Sequence, residues 1–457
     1  MKSRLSFYGE YNDTKLPWAP KLPSHWQIWR NGKLFGQRIE TGYPELPILE
    51  VSLRTGVRVR DMSNIKRKQV MSDKEKYKRA VKGDIAYNMM RMWQGAVGIA
   101  PVDGLISPAY VVARPFREAN SSYYSYLFRT ADYKDEVNKY SRGIVSDRNR
   151  LYWDEFKQMP SIVPPHDEQD KIVTYLRAQD AHIARFIKIK RELIDLLNEQ
   201  KQTLIHQAVT KGINPNVELK PSGVDWLGNI PEHWKTRRLK FVADNISEQT
   251  NTQKPDEVYL ALEHVESWSS SFNPLKGNVP FASTVKRFNE GDLLFGKLRP
   301  YLAKVVQALQ NGVCVGEFLV IRSKDKEIST DFLEILLRSR GFIQLVNCST
   351  VGAKMPRADW AFIGNVRIPL PDLDEQFRIV KTIAHETQSI SSTIDRIKKE
   401  IELLIEYREN LIANAVTGQI DVRNWQPGPD DEAADSDLSA LTVDDELMEE
   451  EYEDEHN

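Results

Sequence analysis

The sequence predicts an α/β (α+β) chain. Two similar globular domains with small mixed sheets are separated by two long antiparallel coiled-coil helices, in a pseudo-twofold internal repeat. Three observations carry this prediction. The chain repeats itself in ordered blocks at an offset of 207–208 residues, each half holds short β-branched runs broken by turn residues, and each half ends in a long heptad pattern. Trp18, Pro23, His25 and Trp26 return as Trp226, Pro231, His233 and Trp234. Gly83, Asp84 and Arg91 return as Gly291, Asp292 and Arg299, and Glu168, Gln169, Ile172 and Val173 as Glu375, Gln376, Ile379 and Val380. A two-copy repeat of this length is too long for a solenoid unit. It describes two copies of one module.

The expected division is a first domain over 1–165, a helix over 166–212, a second domain over 213–371, a second helix over 372–420 and a tail over 421–457. In the first domain the runs at 47–53, 84–88 and 109–113 read as strands, and in the second those at 258–265, 292–295 and 318–321. Each helix follows a proline stop, Pro164-Pro165 or Pro369-Leu370-Pro371, because proline cannot continue an incoming helix. Asp372 followed by Glu375 predicts a reciprocal capping box. Gly212 and Gly418 predict left-handed C-terminal caps.

Between those limits the apolar period is close to seven. The first seam reads Val173, Leu176, Asp180, Ile183, Ile187, Lys190, Ile194, Leu197, Lys201, Leu204 and Ala208. The second reads Val380, Ile383, Thr387, Ile390, Ile394, Ile397, Ile401, Leu404, Arg408, Leu411 and Ala415. Helices of about 45 residues span roughly 65–70 Å, longer than a domain of this size, so each seam needs another long helix. The other copy is the nearest candidate, and antiparallel pairing would make a stiff spacer between the domains.

Composition narrows the function. The two cysteines, Cys314 and Cys348, suit neither a disulfide framework nor a zinc site and read as buried thiols of a reducing, cytoplasmic protein. No apolar run approaches membrane-spanning length, and the N-terminal residues have no apolar signal core. Fourteen acidic residues and no Lys or Arg lie between Asp430 and Asn457, which reads as a disordered acidic tail. Without it, 63 basic side chains face 51 acidic ones, leaving a body near +12 that suits a polyanionic partner. Phosphate loops, dinucleotide fingerprints, HExxH and nucleophile signatures do not occur. His25 and His233, repeated at equivalent places, read as packing and hydrogen-bonding residues.

Each domain does carry basic, aromatic-flanked segments. One pair surrounds Asn88 and Arg91 in the first domain and Lys297, Arg299 and Lys304 in the second. A second pair holds Arg142, Arg148, Asn149 and Arg150 in the first domain and Lys354 and Arg357 in the second. Arg and Asn read guanine and adenine edges, whereas Lys holds phosphates, so these eleven residues are the candidate DNA contacts.

The P-x-H-W block, the basic loop after Gly-Asp, the Asp-Glu-Gln entry to a heptad helix and the duplication together resemble the DNA-specificity subunit of type I restriction–modification systems. The resemblance covers about residues 15–420; the acidic tail and the stretch before Trp18 lie outside it. It implies two target-recognition domains, each reading one half of an interrupted asymmetric duplex sequence. It also implies that this chain is no enzyme and holds no cofactor. Two modification subunits would carry S-adenosylmethionine and methylate adenine N6, and restriction subunits would use ATP and Mg. The helices would pair and dock those subunits through Ile183, Ile187, Ile194, Leu197, Leu204, Ile390, Ile394, Ile397, Ile401, Leu404 and Leu411. A self-sufficient DNA-modifying enzyme and a DNA-independent coiled-coil adaptor are the rival expectations.

Overall fold

The computed structural model describes residues 6–441 except 54, 61–73, 144–148, 278, 282, 325–326, 351, 353–354, 429–430 and 432–440. The chain forms two compact units, residues 1–192 with 398–457, and residues 193–397. Both boundaries fall inside the long helices, so each unit contains a part of each helix rather than leaving the helices as separate pieces.

In the first unit, four antiparallel strands form the central sheet in the order Phe35–Arg38, Tyr110–Pro115, Ile85–Asn88, Val97–Ile99. Strand Ile85–Asn88 is buried along its whole length because both of its faces are covered. Ile85 and Tyr87 join the core built on helices Ser121–Arg129 and Ala131–Tyr140, with Tyr123, Tyr124, Leu127, Phe128 and Val137. Ala86 points the other way, toward Leu49, Val57, Ala80 and Ile106 of two small ribbons, 49–52 with 56–59 and 78–80 with 104–106. The period-two alternation of a strand thus supplies both cores, which is why its sequence reads as a continuous apolar run.

The second unit repeats the central sheet, but in place of two ribbons it has one four-stranded sheet in the order Gln249–Thr250, Val285–Phe288, Gly312–Cys314, Val258–Leu260. Its central sheet has the order Ala243–Ile246, Phe318–Ser323, Leu293–Gly296, Val305–Gln307. Leu293 and Phe295 face helices Thr330–Leu337 and Arg340–Cys348, while Leu294 faces Val258, Phe288 and Val320. Gly104 and Gly312 occupy equivalent places where a Cβ would lie 2.6 Å from Leu49 Cγ or 2.5 Å from the Val258 carbonyl oxygen. A side chain there would drive the strand that carries the glycine away from its neighbour, the 47–49 segment in the first unit and strand Val258–Leu260 in the second.

The repeat begins earlier than the identities suggest. Strand Tyr11–Asp13 pairs with Lys21–Pro23 as Leu219–Pro221 pairs with Asn229–Pro231, at an offset of 208. The stretch before Trp18 therefore belongs in part to the module. The two strands share backbone pairing but no residue identities, so sequence comparison misses them.

The long helices run His166–Lys211 and Leu373–Val416, and every seam position named above is buried or half-buried. Within the first unit, Arg408 donates to Asp180 at 2.7 Å and Lys190 to Glu400 at 2.5 Å, so numbers rise along one helix as they fall along the other. Within the second unit, Lys201 donates to Ser391 at 2.9 Å in the same antiparallel sense. Gly212 and Gly418 close the helices in left-handed conformations, at φ 75° and 72°. Two expectations need correction. Asp372 does accept from the Glu375 amide at 2.8 Å, but the Glu375 carboxylate turns to His233 and Trp234, leaving half a capping box. Cys314 is buried, and burial pushes its thiol up to about 12, but Cys348 at the end of its helix is exposed.

That carboxylate explains the repeated P-x-H-W and Glu-Gln blocks. In the first unit Glu168 accepts from Trp26 Nε1 at 2.9 Å and from Tyr8 Oη at 3.1 Å, and lies 2.6 Å from His25 Nε2. In the second, Glu375 accepts from Trp234 Nε1 at 2.9 Å and lies 2.8 Å from His233 Nε2. The neighbouring amides also match. Gln169 accepts from Asn120 N and donates to Glu118 and Pro164 carbonyls; Gln376 accepts from Ser329 N and donates to Glu327 and Pro371 carbonyls.

Glu168→Ala removes the acceptor of a buried indole N–H and should cost about 1–3 kcal/mol. The urea midpoint of the first unit should fall, and Glu168→Gln, which retains an acceptor, should lose less. Equal midpoints for wild type and Glu168→Ala would show that this joint does not stabilise the unit.

Candidate nucleic-acid interface

In the first unit the chain leaves strand Ile85–Asn88 in a tight turn. Asn88 Oδ1 accepts from Met90 N at 2.9 Å, and Trp93 Nε1 donates to Met90 O at 2.9 Å. Gly95, at φ 97°, returns the chain to the sheet. The second basic segment folds beside this turn, because Arg142 and Arg150 exchange backbone hydrogen bonds and Leu151 N donates to Met89 O at 2.8 Å. The two segments separated in sequence thus form one surface, with Arg91, Arg142 and Arg150 exposed and the exposed side chains of Met90 and Tyr152 beside them.

The second unit brings its own pair together at the corresponding place. Arg299 N donates to Pro356 O at 2.8 Å, Ala358 N donates to Lys297 O at 2.9 Å, and Leu298 bridges Arg357. Arg299 is exposed, as are Tyr301 and Met355. Among the described residues, the three non-glycine residues at positive φ are Trp268 (58°), Arg299 (51°) and Ala303 (49°). They lie together, since Trp268 N donates to Leu302 O at 3.2 Å. Left-handed non-glycine residues cost on the order of 1–3 kcal/mol each, and such strain concentrates at binding sites.

Several candidates are engaged within the protein. Asn88 is buried and its amide oxygen caps the turn, so it shapes the loop instead of presenting an amide to a ligand. Lys304 Nζ donates to Leu262 O at 2.8 Å, which ties it to the backbone of its own domain. Arg142 pairs with Glu155 at 2.7 Å, Asn149 donates to Asn138 at 2.8 Å, and Arg357 straddles Glu317 at 3.2–3.3 Å. Lys297 is half-buried, while Arg91, Arg150 and Arg299 are exposed with no side-chain hydrogen bond or ion pair among the described residues. Arg148 and Lys354 lie outside the described residues.

Sequence reasoning missed the groups that hold these loops. Lys78 Nζ donates to Pro108 O at 2.9 Å and Tyr110 O at 2.7 Å; Lys286, 208 residues on, donates to Phe318 O at 2.8 Å. Tyr110 and Phe318 pair with Asn88 and Gly296, the residues at which the basic loops begin. Burial lowers both lysines below the usual ammonium range. The adjacent Arg79 and Arg287 reach Glu40 and Glu248 at 3.3 and 3.1 Å. All three pairs share the 208 offset, so a longer repeat comparison contained the signal. Asp84 and Asp292 grip Arg38 and Arg322, each at 2.6 Å, and so belong to the scaffold beneath the loops.

Among the described residues no group of three or more His, Cys, Asp or Glu could hold a metal ion, and no helix is long and apolar enough to cross a membrane.

No protein-family model matches the chain. It is similar to the type I restriction enzyme EcoDI specificity subunit of Escherichia coli, at 26% identity over 222 residues, covering 47% of this chain and 48% of that protein. The chain thus spans about half the length of that relative. It is also similar to the putative type I restriction enzyme MjaX specificity subunit of Methanocaldococcus jannaschii, at 24% identity over 92% of this chain and 99% of that protein. Among solved structures, a chain from work on complex assembly and conformational transition of the type I R-M system shares the fold. That match has a TM-score of 0.61 and 16% identity, and covers 86% of this chain and 98% of that one.

Arg299→Gly should relieve left-handed strain and raise stability by up to about 1 kcal/mol while weakening duplex binding. Arg91→Ala should leave stability within about 0.5 kcal/mol and also weaken binding. If either arginine contacts phosphate, a filter-binding salt titration should show the slope of log K against log salt reduced by about 0.9. Unchanged duplex affinity in both variants would reduce these arginines to ordinary surface charges.

Proposed function

We propose that this chain is the non-catalytic DNA-recognition subunit of a type I restriction–modification complex. Each unit reads one half of an interrupted, asymmetric duplex target. One observation carries the reading. Two scaffolds with the same central-sheet order place the same pair of segments side by side, yet the exposed side chains beside the shared arginine differ: Met90 next to Arg91 against Tyr301 near Arg299. A shared scaffold with different contact residues is what two readers of different half-sites require. The specificity-subunit relatives support the same conclusion.

The mechanism is recognition without bond-making in this chain. Exposed arginines meet phosphates and set register, and those that reach the major groove read base edges through their planar fork of donors. Partner modification subunits, carrying S-adenosylmethionine, would methylate adenine N6. Because that atom must leave the base stack to be modified, this chain fixes which base the partner extrudes. Restriction subunits would supply ATP- and Mg-dependent cleavage. The seams of the long helices, with Ile183, Ile187, Ile394 and Ile401 among their buried positions, would pair and dock the modification subunits.

Exchanging residues 15–160 for the corresponding domain of another such protein should change one half of the methylated sequence and leave the other as it was. Mapping methylated sites in a host carrying the whole system reads the outcome, and a change in both halves would refute independent reading. The purified chain alone, given duplex DNA, S-adenosylmethionine, ATP and Mg, should neither methylate nor cut. Turnover in a partner-free preparation would identify it as an enzyme.

A further inference from the structure

In the second unit the basic loop is held from two sides. On one side Pro356 and Ala358 share backbone hydrogen bonds with Arg299 and Lys297. On the other stands a β-hairpin that follows strand Val258–Leu260. Val265 bridges Phe272, Glu266 N donates to Ser271 O at 3.1 Å, and Asn273 N donates to His264 O at 2.9 Å. Both the root and the tip of this hairpin touch the loop. At the root Lys304 Nζ donates to Leu262 O at 2.8 Å, and at the tip Trp268 N donates to Leu302 O at 3.2 Å. Trp268 has a left-handed backbone, at φ 58°, and packs against the core that also holds Phe295 and Ala303. In the first unit, 208 residues earlier, strand Leu49–Ser52 turns back directly into Gly56–Val59, so the chain path here is the second unit's own.

The tip divides its labour. Trp268 anchors it, and Ser271 N donates to Ser269 Oγ at 3.0 Å within it. Glu266, Ser267 and Ser270 are exposed and make no side-chain hydrogen bond or ion pair among the described residues. Ordering these residues costs conformational entropy, and the left-handed Trp268 adds strain, yet their side chains satisfy nothing inside the protein. Their chemistry suits a duplex lying on Arg299. A hydroxyl donates to a phosphate oxygen without adding charge. A carboxylate only accepts and is repelled by phosphates, so it serves where a base presents a donor. In the major groove those donors are the exocyclic amines of cytosine and adenine.

We propose that the hairpin tip, residues 266–271, is a third DNA-contacting segment of the second unit. Trp268 is its positioning residue, Ser267 and Ser270 donate to phosphates, and Glu266 selects a base that carries an exocyclic amine. This rests on the proposed recognition of duplex DNA and adds a specificity-determining residue to one half-site only.

The three exposed side chains can be removed without touching the core, so the full-length chain assembled with modification subunits serves for the test. Methylated sites mapped in a host carrying the whole system supply the target duplex. Glu266→Ala should lower the base preference at one position of the second unit's half-site about tenfold and leave the other half-site unaltered. Its binding to unrelated duplex should tighten, because no carboxylate then faces the phosphates. Ser267→Ala with Ser270→Ala should weaken target binding about threefold to tenfold at an unchanged slope of log K against log salt, since hydroxyls displace no counterions. Trp268→Ala should produce both effects together, and Trp268→Phe should restore wild-type behaviour in part. Unchanged affinity and methylated sequence in both the Glu266 and the serine variants would overturn the proposal and leave DNA recognition through Arg299 standing. A wild-type complex that does not bind duplex would instead refute the recognition reading itself. Loss of modification-subunit binding at unchanged duplex affinity would assign the tip to that partner and overturn the proposal as well.

Discussion

One carboxylate at the first turn of each long helix holds each unit together. Glu168 and Glu375 receive an indole N–H from the module's opening segment, while the next residue, Gln169 or Gln376, receives the N-cap amide of a helix that shares its core with the long helix. Three pieces of chain about 50 to 140 residues apart therefore meet at two adjacent side chains. The indoles are nearly enclosed, so their N–H groups must find acceptors inside the protein, and a side chain two atoms shorter or without an acceptor leaves them unpaired. This explains the coupling of the P-x-H-W and Glu-Gln blocks. They recur together because each is the other's hydrogen-bonding partner.

What the sequence made legible follows from how directly each feature is encoded. The heptad seam is a matter of spacing alone, and every named position is buried or half-buried. The glycine stops at Gly212 and Gly418 depend on backbone freedom at single residues, which composition reveals. By contrast, strand Tyr11–Asp13 pairs through its main chain and shares no identity with Leu219–Pro221, so nothing in the side chains announces it. The candidate site was legible as a set of segments but not as a set of contacts. The two basic segments of each unit do come together, yet Asn88 caps its own turn and Lys304 binds a carbonyl of its own domain. A charged or amide side chain has the same letter whether it faces solvent or satisfies a neighbour, and only the fold decides. Lys78 and Lys286 show the reverse case, ordinary surface residues by type that the fold places under the loops.

The division between scaffold and loop has a physical basis in where polar groups are satisfied. Beneath the loops, Asp84 and Asp292 are buried and paired with arginines, though from different strands: Arg38 comes from the edge strand and Arg322 from the strand next to it. A buried carboxylate must be compensated, but the fold does not dictate which neighbouring strand supplies the cation. At the loop surface no such demand operates. Arg91, Arg150 and Arg299 remain hydrated, and their replacement costs the scaffold little, so these positions can change without unfolding the unit that carries them.

The helix pairs apply the same rule in the opposite direction. In the first unit Asp180 is buried in the seam and takes hydrogen bonds from Arg408 at 2.7 Å and Tyr126 at 2.8 Å. At the repeat-equivalent seam positions of the second unit, 207 residues away, stand Thr387 and Lys201, with Lys201 donating to Ser391. The two seams are therefore alike in apolar spacing and unlike in charge. If the second long helix paired antiparallel with another copy of itself, Thr387 would take the place of Asp180 and leave the guanidinium of Arg408 without its carboxylate. An uncompensated, largely buried charge costs about 3–5 kcal/mol, far more than any difference among the isoleucines and leucines of the seam. The apolar residues make a long helix pair favourable, and the absence of an aspartate at position 387 disfavours pairing of the second helix with its own copy.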